Sequence, residues 1–116
     1  MIILISSAFY EGRSENLKDF VKKNWSITTS KIFNRRLNEA QSVNNLSILL
    51  QEGFPGNWHW LGGDRVGQIS VTLDGGRRLI LEPEGSLSQY KDEHGTINNK
   101  LITTLIVVEL ANYHKK

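Results

Sequence analysis

The chain contains no cysteine and only two prolines. Without cysteine, neither a disulfide framework nor a thiolate metal centre can form, and the composition fits a reducing compartment. No apolar run approaches the ~20 residues needed to cross a bilayer. The opening MIILIS is too short for a signal h-region and lacks a basic start, so it reads as a strand buried on both faces in a cytoplasmic protein. Also absent are a GxxxxGK[ST] phosphate loop, a Rossmann glycine pattern, HExxH and a nucleophile elbow. His59, His94 and His114 lie too far apart, and without supporting carboxylates, to define a metal site. Neither a metal nor a cofactor is expected.

What is present is one domain's worth of chain. At 116 residues, 39% hydrophobic and 22% charged, it can bury a single core. The net charge of +2 is modest, but its distribution is uneven. Arg13, Lys18, Lys22, Lys23, Lys31, Arg35 and Arg36 gather in one fifth of the chain, against only Glu15 and Asp19. Such a cluster suits a phosphate backbone or an acidic partner; in an arbitrary protein it is a solvated helix face.

The hydrophobic period changes once along the sequence. Ser14 is placed to cap a helix over ENLKDFVKKNW, with Leu17, Phe20 and Val21 on one side and Lys18 and Lys22 on another. Thr28 or Thr29 opens a second helix to about Ser42, where Phe33, Leu37 and Ala40 recur at i, i+4 and i+7 and leave Lys31 and Arg35 to water. The polar NWSITT joins the two as an antiparallel hairpin. VNNLSILLQ supports a weaker helical turn, which GFPG ends. From Trp58 the period becomes two, as in Ile69, Val71 and Leu73. Asp74-Gly75-Gly76 marks a hairpin, RRLILEP returns, and Pro83 confines that strand to an edge or its own end. Residues 84–100 read as an exposed excursion, and LITTLIVVEL as the last strand. The expected fold is α+β: an N-terminal strand, a two-helix hairpin, then an antiparallel sheet of about four strands.

Four residues could carry acid–base chemistry on a phosphodiester. His59 stands between Trp58 and Trp60, one of them expected in the core. Arg78 follows the hairpin turn, and Tyr113 and His114 follow the last strand. Cleaving RNA without a metal needs a base for the 2′-hydroxyl, an acid for the leaving 5′-oxygen and a cation at the phosphorane. Imidazole, titrating near ~6.5 when unperturbed, can serve either proton role, and arginine supplies a fixed fork of donors. Taken singly, each of these residues is more often packing or solubilising charge.

The block WHWLGGDRVGQISVTLDGGRRLIL, together with VELANYH, resembles the HigB-type toxins (plasmid maintenance system killer proteins) of the RelE/ParE superfamily. Gly-Asp-Arg-x-Gly combined with a terminal Tyr-His carries the resemblance, which extends over most of the chain. It implies a RelE-like fold and a ribosome-dependent endoribonuclease that cuts mRNA and is held inactive by a cognate helix-turn-helix antitoxin, with operator DNA bound only through that antitoxin. His59, Arg78, Tyr113 and His114 fall on the family's catalytic positions. Lys18, Lys22, Lys31, Arg35, Arg65 and Arg77 become the RNA- and ribosome-binding set, and Asp64 a cap for the turn's amides. The chain also departs from the pattern. Asn112 replaces an acidic residue, Gly62 a lysine and Trp60 a smaller residue; the excursion is longer, and Lys115 and Lys116 extend past the closing histidine. Asn112 and Gly62 imply weakened or lost cleavage. The alternative is a non-catalytic, ParE-like protein acting on a macromolecular target such as DNA gyrase, and the blandest reading is an RNA-binding domain without toxicity.

Overall fold

A computed structural model of the chain describes residues 1–6 and 26–112, with the backbone alone at 112. The helix expected over 15–25 with its cap Ser14, including Lys18 and Lys22, and the tail residues Tyr113 and His114 lie outside the described residues. In chain order the described elements are β1 (Ile2–Ile5), α1 (Ile27–Gln41), α2 (Leu46–Leu49), β2 (His59–Trp60), β3 (Ile69–Thr72), β4 (Arg77–Pro83) and β5 (Thr104–Asn112).

Helix α1 begins earlier than its threonines suggest. Ser26 is the N-cap, its Oγ accepting from the Thr29 amide at 3.1 Å. Thr29 sits inside the first turn instead, donating its hydroxyl to Asp74 Oδ2 at 2.6 Å and so joining the helix start to the β3–β4 turn. Phe33, Leu37 and Ala40 point inward and are buried as their spacing predicts. Asn45 caps α2 through the Ser47 amide. Leu46 and Leu49 extend the same apolar surface.

The strands form one sheet in the order β1-β5-β4-β3-β2. It is five-stranded and mixed rather than a four-stranded antiparallel sheet, because β1 pairs parallel with β5, from Ile2 opposite Thr104 to Ile5 opposite Val107. That placement corrects the reading of MIILIS. Strand β1 is at the sheet's end, and Ile2 and Leu4 remain 60% and 41% exposed while Ile3 and Ile5 pack on the core. An uninterrupted apolar run says that a strand is hydrophobic; it does not count the layers that cover it.

One face of the sheet carries the core. Ile69, Val71, Leu79, Leu81, Leu105 and Val107 form a single buried cluster with Phe33, Leu37, Ala40, Leu46, Leu49 and Trp58. Each large side chain buried there contributes roughly 1.5–3 kcal/mol. Ile80 and Ala111 are buried but belong to the other face, outside that cluster. A bulge between Ile80 and Leu81 shifts the β4–β5 register, so Ile80 faces Glu109 while Leu81 faces Val107.

The excursion after Pro83, itself the last residue of β4, is organised. Two 3-10 turns, Leu87–Tyr90 and Asn99–Leu101, flank a small hairpin bridged at Lys91 and Ile97. Asp92 Oδ1 accepts from the His94 and Thr96 amides at its tip. Trp60 Nε1 donates to Asn99 Oδ1 at 3.1 Å, which fastens the excursion to the sheet. No described helix is long and apolar enough to cross a membrane.

Candidate functional site

Strand alternation places the candidate residues. Trp58 and Trp60 turn toward the core, Trp58 buried and Trp60 half-buried. His59, between them, turns to the face opposite α1 and α2. Cross-strand pairing then extends a row from His59 to Ser70, Ile80 and Glu109. The adjacent row holds Thr72, Arg78 and Ala111. His59 and Arg78 are therefore two strands and two residues apart on one face, with alpha carbons about 12 Å apart from ideal strand spacing. That is a span their side chains can close around a phosphate. Arg78 leans over β3 in this direction, its guanidinium donating to Thr72 Oγ1 at 2.7 Å.

His59 is oriented as well as placed. Its Nδ1 lies 2.8 Å from the Asn57 carbonyl oxygen. A carbonyl can only accept, so this contact is a hydrogen bond when Nδ1 carries the hydrogen. Asn57 adopts φ 52, the left-handed region.

A polar network borders these rows. Arg65 holds Glu109 in a two-pronged ion pair, with contacts of 2.8 and 3.0 Å, and also donates to Gln68 Oε1 at 2.9 Å. Gln68 in turn donates to Glu82 at 2.9 Å. Beneath it the Ser70 hydroxyl is fully buried without a hydrogen-bond partner among the described residues. The 3-10 turn that carries Arg65, Gly63–Arg65, is closed by backbone bonds such as Arg65 N to Gly62 O. Its N-cap is Gly62, which has no side chain to offer, and among the described residues no turn amide donates to the Asp64 carboxylate expected to cap it.

The other described basic candidates, Lys31, Arg35 and Arg77, do not join this face. Lys31 and Arg35 are exposed on α1, across the core from His59. Arg77 alternates away from Arg78, reaching Asp74 and Thr29 near the start of α1, each at 3.4 Å. Glu109, Thr72, Ser70 and Asn57 were missed from the sequence. Glu109 alone left a signal, as a single charge inside the apolar run LITTLIVVEL; the other three are neighbours only through strand pairing and a turn. Among the described residues no group of three or more acidic or histidine side chains is placed to hold a metal.

No family model matches the sequence, and no curated relative does. Solved structures do match by shape. The YoeB/ParE toxin from Agrobacterium tumefaciens superposes with a TM-score of 0.58 over 98% of this chain and 100% of its own, at 13% identity. The YoeB–YefM complex from Staphylococcus aureus gives 0.55 over 99% and 98%, at 15% identity. The YoeB dimer from the same organism gives 0.53 over the same shares, at 16%. The fold is thus like that of these solved YoeB and YoeB/ParE toxins. At such identities the likeness concerns architecture, and the chemistry must be argued from the side chains.

Proposed function

We propose that this protein is the toxin of a toxin–antitoxin pair, a HigB-like, ribosome-dependent endoribonuclease that cleaves mRNA. The observation that carries this reading is the common face shared by His59 and Arg78 on a toxin fold. In the reaction, an imidazole takes the proton of the ribose 2′-hydroxyl, and the oxygen attacks the adjacent phosphorus. The bond to the 5′-oxygen breaks as a second group protonates it, leaving a 2′,3′-cyclic phosphate and a 5′-hydroxyl. Arg78 stabilises the charge of the crowded phosphorane. His59 and His114 divide the proton roles, and Tyr113 stacks on an unpaired base. Protons and a fixed cation suffice for this chemistry, so the reading calls for no cofactor.

Lys31, Arg35 and Arg77 would contact ribosomal RNA from the side of α1, and Lys18 and Lys22 belong to the same proposed RNA-binding set. Arg65, held by Glu109 and Gln68, would contribute from the opposite face. A cognate antitoxin is the expected inhibitor, as in the YoeB–YefM toxin–antitoxin complexes of similar fold; that it is a helix-turn-helix protein carrying any binding to operator DNA is inferred from the sequence resemblance alone. Cytoplasmic location follows from a ribosomal target. A second reading, target blocking without cleavage in the ParE manner, is favoured by Asn112 and Gly62. Induced expression followed by mapping of mRNA 5′ ends separates them. Cuts inside codons support the nuclease, whereas intact mRNA with an induced DNA-damage response supports the second reading.

A further inference from the structure

We propose that Asn57 is a positioning residue that holds His59 as the Nδ1–H tautomer, making Nε2 the nitrogen that exchanges a proton with substrate. The proton transfer rests on the nuclease reading above; the tautomer does not. Free histidine prefers the hydrogen on Nε2, so the opposite form needs a dedicated acceptor at Nδ1. The Asn57 carbonyl is that acceptor, at 2.8 Å.

The carbonyl is aimed by a corner with little freedom. Asn57 is the one non-glycine residue with positive φ among those described. Asparagine tolerates this region better than most side chains do. Before it, Gly56 accepts the Thr72 amide at 2.8 Å. A β-carbon on Gly56 would lie 2.7 Å from Val71 Cγ2 and 2.9 Å from Arg36 Cδ, so the backbone there is pressed against β3 and α1. Arg36 completes the clamp, its Nε donating to the Thr72 carbonyl at 3.3 Å. After it, buried Trp58 anchors the chain in the core. A left-handed asparagine kept in place by such packing is the kind of local strain found where geometry serves chemistry. The same logic applies to catalytic histidines in general: the partner of one ring nitrogen decides what the other can do.

The test is nitrogen-resolved NMR of the full chain, labelled at histidine and recorded where the rings are neutral. His59→Gln assigns the signals, and His94, whose side chain is 80% exposed, supplies an internal reference. His59 should show a protonated, pyrrole-like Nδ1 and a bare, pyridine-like Nε2, the reverse of His94. Asn57→Gly, which accepts the same φ, should keep that pattern. Asn57→Val should move it toward His94 and lower the cleavage rate constant roughly 10- to 100-fold with little change in KM. A pyridine-like Nδ1 in the unaltered protein overturns the proposal outright, whatever the folding of the valine variant. The proposed tautomer, combined with undiminished cleavage by His59→Ala, would uphold the positioning and remove His59 from the reaction.

Discussion

At the scale of single residues, the face opposite the helices is built from groups whose partners are few and specific. Ser70 is the exception, a buried hydroxyl with no partner among the described residues. Leaving such a group unsatisfied costs about 1–3 kcal/mol, so its removal should not hurt. Ser70→Ala is expected to unfold at the same or a higher denaturant midpoint; a clear drop would mean that the hydroxyl is bonded in solution. Arg78 is different, because its proposed work appears only in the transition state. Arg78→Ala should lower the cleavage rate constant roughly 100-fold or more, while the thermal midpoint shifts by only a few degrees. A loss of cleavage that merely tracked unfolding would assign Arg78 to the scaffold. The Arg65–Glu109 pair is partly exposed, at 33% and 42% for the two side chains. A double-mutant cycle through Arg65→Ala and Glu109→Ala should return a coupling of about 1 kcal/mol that shrinks as salt is added. A coupling indifferent to salt would deny the pair its ionic character.

At the scale of elements, periodicity recovered what is local, and pairing decided the rest. Phe33, Leu37 and Ala40 revealed α1, and alternation around Ile69 and Val71 revealed β3, because each signal is complete within one segment. The cap at Ser26 was passed over for Thr28 or Thr29, since several adjacent hydroxyls compete for one role and only the backbone chooses. The parallel pairing of β1 with β5 joins residues about a hundred positions apart, and nothing in IILI announces it. The β4–β5 bulge likewise arises between strands, and it decides which side of the sheet Glu109 occupies. Candidate residues His59 and Arg78 were legible from resemblance and hairpin position, but the Asn57 acceptor was not, because a backbone carbonyl leaves no mark on sequence. The corner before β2 offers a direct test of these packing arguments. Gly56 (φ +102) and Gly53 (φ +89) share a left-handed backbone, yet only at Gly56 would a β-carbon meet neighbours. Gly56→Ala should therefore destabilise by about 1–3 kcal/mol more than Gly53→Ala in equilibrium unfolding. Equal losses would show that backbone strain alone sets the cost.

At the scale of the whole molecule, the sheet separates two surfaces. Among the described residues, helices α1 and α2 with the exposed cations Lys31 and Arg35 lie to one side, and His59 and Arg78 lie to the other. A protein lodged in a ribosomal site would meet RNA from more than one direction, so this division suits the proposed nuclease, anchored through phosphates on one side and cutting on the other. The fold supplies the frame, and the account stands on what His59 and Arg78 do within it. The most direct measurement is single-turnover cleavage of mRNA on programmed ribosomes, comparing the unaltered protein with His59→Ala and Arg78→Ala variants that unfold normally. The account predicts fragments ending in 2′,3′-cyclic phosphate, formed by the unaltered protein and lost in both variants. Intact mRNA with the unaltered protein, or equal cutting by all three, would contradict it.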